Sequence, residues 1–253
     1  MVAGVLDKKI IGVIPARYQS SRLPGKPLKD ICGKPMIYWV AKRVEASILA
    51  EYYVATDDDR ILSACQKYEI PCIMTSEKCL NGTERVAEVA TKINADYYVN
   101  IQGDEPCIDI IAINTFVNSL QKLDQVNFIQ AVSKMTDQNA ILDDSIVKVV
   151  LTESSEVLYY SRLPIPYSRN KDNLKDVDYY RCLGLYIYSR DFLKKYSLMK
   201  STKLENIEHI EQLRILENGI TINAVEVRDN GISVDTADDL AKVRERYSNG
   251  LCD

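Results

Sequence analysis

Histidine is almost missing from this chain of 253 residues: His209 is the only one. A zinc centre needs several His or Cys ligands at short spacing, and the seven cysteines, at positions 32, 65, 72, 79, 107, 182 and 252, form no C-x-x-C pair. A histidine general base is equally hard to supply, because His209 lies within Asn206-Ile-Glu-His-Ile-Glu-Gln212, read as the middle of a helix. The odd cysteine count speaks for reduced thiols in a cytoplasmic protein rather than a disulfide framework. No G-x-x-x-x-G-K-[ST] loop is present. The apolar run Ile10–Ile14 is far too short for a signal core or a membrane span. Nor is there an excess of basic charge. A net charge of −4 argues against a nucleic-acid binder that works by broad phosphate contact.

What remains is ordinary globular material, 46% hydrophobic and 27% charged. The first half alternates. Runs 9–14, 52–56, 71–74 and 97–101 read as strands, and 35–44, 57–68 and 84–93 as helices, the last capped by Thr83. Such alternation implies right-handed βαβ units and a parallel sheet, whose ligands sit beyond the carboxyl ends of the strands. The segments to watch are therefore 15–26, 56–59, 75–85 and 102–106. After about residue 125 the pattern changes to strands with few helices: 127–134, 146–151, 180–188 and 221–227. A long helix is expected over 203–218, closed by Gly219. A last helix opens at Thr236-Ala-Asp-Asp239, which has capping-box spacing with Asp in place of Glu. The expectation is one compact α/β unit with an antiparallel insertion in its second half.

Five segments carry possible chemistry. The loop after the first strand, Ile14 to Leu28, places Arg17, Arg22 and Lys26 beside Gly25 and the small polar residues Gln19, Ser20 and Ser21. A triphosphate needs positive charge, backbone N–H groups and close approach, and this loop offers all three. Gln102-Gly-Asp-Glu-Pro106 follows the fourth strand, where Asp104 suits a magnesium ion that also takes phosphate oxygens and water. Asp235 is a second carboxylate, also explicable as a plain helix entry, that joins Asp104 only if the fold brings the two together. Asn81-Gly-Thr-Glu-Arg85 pairs a glycine suited to approach by a base or ribose with an arginine one turn into a helix. Arg162, in Ser161-Arg-Leu-Pro-Ile-Pro166, has the geometry to grip a carboxylate, or is an exposed arginine beside a rigid turn.

In this order the motifs resemble the 3-deoxy-manno-octulosonate cytidylyltransferases, the CMP-Kdo synthetases. The resemblance rests on Ile14 to Leu28, Asn81-Gly-Thr-Glu-Arg85, Asn100-Ile-Gln-Gly-Asp-Glu-Pro106, Tyr160-Ser-Arg-Leu-Pro-Ile-Pro166, Gly184-Leu-Tyr186, Ile210-Glu-Gln-Leu-Arg214 and Val234-Asp-Thr236. The first block differs from the sialic-acid cytidylyltransferases after the shared Ile-Pro-Ala-Arg. The resemblance implies a mostly parallel, Rossmann-like nucleotidyltransferase sheet flanked by helices. It implies a single domain over 1–253, with roughly 125–190 as a sugar-binding and dimerisation insertion. It further implies transfer of CMP from CTP to the anomeric hydroxyl of 3-deoxy-D-manno-octulosonate (Kdo), with release of pyrophosphate, for lipopolysaccharide or capsule synthesis. Magnesium is the implied cofactor, the implied assembly is a homodimer, and no membrane or nucleic acid is involved. Pro15, Ala16, Arg17, Arg22 and Lys26 would bind the phosphates, and Gly82, Thr83, Arg85 and Gln102 the cytidine. Asp104 and Asp235 would hold the metal, and Arg162, Cys182, Tyr186, Glu211 and Gln212 would face the sugar. Arg17, Lys26, Asp104 and Asp235 would be the catalytic set.

One position departs from the family pattern: Cys182 precedes Leu183-Gly184 where His is usual. That keeps a modified ulosonic acid such as 8-amino-Kdo as an alternative substrate. A sialic-acid or polyol-phosphate cytidylyltransferase is the second alternative. A non-catalytic nucleotide-binding protein is the third, weakened by the presence of both carboxylates.

Overall fold

Ile10–Ala16, seven residues rich in β-branched side chains, forms the first strand, β1, and is almost wholly buried. The computed structural model describes residues 8–20, 22–123, 126–169, 177–228 and 231–251. Ser21, Cys252 and residues 170–176 of the expected insertion lie outside them. After β1 come β2 (Asp30–Ile31), β3 (Lys34–Pro35), α1 (Met36–Glu45), β4 (Tyr52–Thr56), α2 (Asp59–Lys67), β5 (Cys72–Met74), α3 (Gly82–Lys92), β6 (Tyr97–Ile101) and α4 (Ile110–Asn118). The second half contains β7 (Phe128–Met135), α5 (Gln138–Leu142), β8 (Lys148–Leu151), β9 (Val157–Ser161), β10 (Tyr179–Ser189), α6 (Arg190–Tyr196), α7 (Lys203–Glu208), α8 (Gln212–Glu217), β11 (Asn223–Glu226) and α9 (Ala237–Ser248).

The main sheet runs β11-β7-β10-β6-β1-β4-β5. β1, β4, β5 and β6 pair in parallel, as does β11 with β7. β10 runs against both its neighbours, β6 and β7, and β8 and β9 extend it outward. β7 and β10 are thus full members of the central sheet. The excursion from it is α5 with the β8–β9 pair.

Alternation along the strands splits the core. Ile14, Tyr97, Val99 and Ile101 pack on one face with α1 and α4. Ile11, Val13, Tyr98 and Tyr188 pack on the other with α3 and α6. A smaller third cluster, Leu23, Ile31, Met36, Cys107, Val234, Leu240 and Val243, seats α9 against the loop after β1. Trp39 packs on this cluster and meets Tyr247 at 4.3 Å between ring centroids. Among the described residues no helix is long and apolar enough to cross a membrane.

Two local expectations fail. Asn81, not Thr83, caps α3: its side chain accepts from Glu84 N at 2.8 Å, and the helix begins at Gly82. Thr83 is left one residue inside the helix with its hydroxyl turned into the protein. The helix expected over 203–218 is two, broken at His209, which adopts a left-handed backbone (φ 53). The carbonyls of Glu208 and His209, left without helical partners, accept from the Arg162 guanidinium at 2.9 and 3.5 Å. The capping box at Thr236 and Asp239 forms as expected.

Candidate functional site

The carboxyl ends of β1 and β6 and the start of α3 open into one cleft of about 360 Å³. Its walls include Pro15, Ala16, Arg17, Ser20, Arg22 and Lys26 from the loop after β1, and Asn81, Gly82 and Arg85 from the start of α3. Gln102, Gly103 and Asp104 follow β6, and Glu211 and Asp235 close the rim. Of the eleven residues named from sequence for phosphate, cytidine or metal contact, all but Thr83 reach the cleft wall.

Backbone contacts set the geometry. A Cβ at Gly103 would lie 2.6 Å from the Pro15 carbonyl oxygen, so only glycine lets the end of β6 meet the end of β1. Val234 N donates to the Asp104 carbonyl at 2.9 Å, which delivers Asp235 to the site across 130 residues of chain. The Lys26 ammonium then donates to Asp104 Oδ2 at 2.7 Å and Asp235 Oδ1 at 3.1 Å. Arg22 adds a contact to Asp235 at 3.0 Å. Arg17 is exposed and makes no ion pair among the described residues.

The carboxylates converge on a shared cation, so their placement fits a hard divalent ion held through oxygen. Among the described residues no group of three or more His, Cys, Asp or Glu side chains gathers as a full metal cage. A two-carboxylate set of this kind leaves the other ligand positions to phosphate and water.

The far end of the cleft is different in character. Arg85 is buried, and its Nη2 meets Asp57 Oδ2 at 2.6 Å while Nη1 donates to the Thr75 hydroxyl. Thr83 Oγ1 lies 2.8 Å from Tyr188 Oη and donates to Glu211 Oε1 at 3.0 Å. Glu211 Oε2 is buried with no hydrogen-bond partner among the described residues. Burial pushes the Glu211 carboxyl up to about 7, against the lowering effects of Thr83 and Arg214.

The residues expected to face the sugar separate. Glu211 lines the cleft. Tyr186 and Gln212 are buried behind it, Tyr186 in a stack with Phe128 and Tyr188. Cys182 lies at an irregularity in the β10–β7 pairing that spans residues 182–186, and burial pushes its thiol up. Arg162 does not join the cleft. Besides the two carbonyls at the α7–α8 break, its guanidinium donates to Asp144 O at 3.0 Å, so its donors are engaged with backbone. Sequence reasoning missed Asp57 and Thr75, although both fall within the strand-end segments marked for attention. The signal was there in position but not in charge pattern, since Arg85 is far from Asp57 in sequence.

A cytidylyltransferase family profile matches residues 11–222. The 3-deoxy-manno-octulosonate cytidylyltransferase of Solibacter usitatus is 43% identical over 247 residues, 97% of each chain. That of Fusobacterium nucleatum is 42% identical, covering 93% of this chain and 95% of its own. A solved structure of CMP:2-keto-3-deoxy-manno-octonic acid synthetase complexed with CTP superposes with a TM-score of 0.91 at 40% identity. The match covers 96% of this chain and 100% of that one.

Proposed function

The chain belongs to the 3-deoxy-manno-octulosonate cytidylyltransferase family, and from that premise we propose that it transfers CMP from CTP to the anomeric hydroxyl of Kdo and releases pyrophosphate. The observation that carries this reading is the meeting, in one cleft, of Arg17, Arg22 and Lys26 with the Asp104–Asp235 pair.

The chain's own residues position the reactants and offset charge. Arg17, which has no carboxylate partner among the described residues, takes phosphate oxygens. Asp104 and Asp235 would hold a magnesium ion. When bound, such an ion supplies charge neutralisation at the phosphates and lowers the pKa of a nearby hydroxyl. Lys26 then exchanges its carboxylate partners for the departing phosphates. The sugar hydroxyl oxygen gives up its proton to solvent and forms a bond to the α-phosphorus while the bond from that phosphorus to the bridging oxygen breaks, and pyrophosphate leaves with the electron pair. Glu211 lines the side of the cleft away from the phosphate loop, where the sugar acid would sit, backed by the buried hydroxyls of Thr83 and Tyr188.

The protein is further proposed to act as a cytoplasmic homodimer feeding lipopolysaccharide or capsule synthesis. The test is pyrophosphate release with CTP, magnesium and a panel of acidic sugars. Kdo should give turnover and a CMP-sugar; turnover only with a polyol phosphate would overturn the reading. A second substrate, 8-amino-Kdo or another modified ulosonic acid, is favoured by Cys182, which offers a weak donor where the family pattern has an imidazole.

A further inference from the structure

Arginines at the two ends of the cleft are treated oppositely. Arg17 is exposed and unpaired among the described residues. Arg85 is 3% exposed and already bound to a carboxylate, Asp57, at 2.6 Å. Asp57 stands directly after β4, behind Arg85, and is not itself part of the cleft wall. Thr75, directly after β5, completes the clamp. Its hydroxyl donates to the Thr56 carbonyl at 3.1 Å, which leaves its oxygen to accept from Arg85 Nη1. Its backbone N–H holds the same carbonyl at 2.7 Å.

This arrangement has chemical consequences. A guanidinium carries five N–H donors and no acceptor. Two of them are fixed against Asp57 and Thr75, so the plane of the group is set before any ligand arrives. The adjacent carboxylate also opposes the approach of a phosphate, while a neutral acceptor is unaffected. A pre-oriented, charge-compensated arginine on a cleft wall therefore suits the edge of a base. Cytosine presents two neighbouring acceptors, N3 and O2. Uracil carries a proton on N3 and would set donor against donor.

We propose that Asp57 is a positioning residue for base selection: with Thr75 it fixes Arg85 so that the free guanidinium N–H groups donate to the N3/O2 edge of cytosine and reject uracil. The proposal rests on the reading that the cleft binds CTP. It assigns to Asp57 a role through Arg85 and no contact with the nucleotide.

The test is steady-state kinetics of Asp57→Asn with CTP and with UTP at saturating sugar, beside Asp57→Glu. Loss of the charge-assisted clamp should raise KM for CTP about tenfold, more than it lowers kcat, as expected for a weakened hydrogen bond to a charged group. The CTP-to-UTP ratio of kcat/KM should fall about tenfold, and Asp57→Glu should recover part of it. A merely structural role predicts a lower melting temperature with an unchanged CTP-to-UTP ratio, and that result overturns the proposal. If Asp57→Asn does not fold, Thr75→Val carries the same test, with a smaller fall in the ratio expected and no fall overturning it. Absence of CTP turnover and CTP binding in the unaltered enzyme would instead sink the nucleotide reading itself.

Discussion

Gly103 is where a single atom decides the site. An added Cβ would sit 2.6 Å from a backbone oxygen, so Gly103→Ala must push the end of β6 away from β1 and displace Asp104. A loss of about 100-fold in kcat/KM is expected from a displacement approaching 1 Å, read in the pyrophosphate assay. Asp104→Asn keeps the shape and removes the charge: turnover should vanish while CTP binding, read by calorimetry, largely survives. Glu211 makes the pH prediction. Its folded value of about 7 lies above its ordinary 4.5, so its contribution to stability is full below pH 4.5 and is lost as pH rises through 7. Glu211→Gln should therefore melt near the unaltered protein at pH 5 and above it at pH 8. For a half-buried carboxyl the difference is on the order of 2 kcal/mol or less, and parallel melting profiles would refute it. Of these residues, Asp104 and Gly103 were legible from the strand-end motif. The clamp on Arg85 was not, because an ion pair across 28 positions leaves no local pattern.

At the scale of elements, β1, β4, β5 and β6 were readable because buried parallel strands are continuous apolar runs, and Tyr52–Thr56 and Tyr97–Ile101 match residue for residue. β9 was missed since Leu158 is exposed in it, which blurs the alternation. α4 was missed because Ile110-Ile-Ala-Ile reads as strand-like, yet Asp109 caps it as a helix by accepting from Ile111 N at 2.8 Å. The α7–α8 break was hidden for a deeper reason. Every residue from 203 to 218 tolerates a helix, and the carbonyls freed at the break are held by Arg162, just after the distant strand β9. His209 holds a backbone conformation that costs a β-branched residue most. His209→Ile should lower the melting temperature by roughly 2–4 °C, while His209→Gly should not lower it. Equal melting of the two variants would contradict the assignment of the break to this residue's backbone.

The whole molecule joins pieces that are far apart in the chain. The carboxylate pair exists only because α9 docks through Leu240 and Val243 onto the cluster that also holds Leu23 of the phosphate loop. Chelation of magnesium should abolish turnover and leave the circular dichroism spectrum unchanged, since packing rather than a metal holds these parts together. Turnover that survives chelation would reject the metal assignment. In solution the 28.7 kDa chain is expected to sediment at twice that mass. The docking of α9 has one more consequence. The chain's only tryptophan, Trp39, lies against Tyr247 of that helix and donates to the Ile31 carbonyl at 2.8 Å. Its fluorescence is thus a built-in gauge of whether the final helix is seated. During refolding from denaturant, catalytic competence should return with the emission change of Trp39 rather than with the earlier recovery of secondary structure, because the contact that delivers Asp235 closes a long loop and forms late.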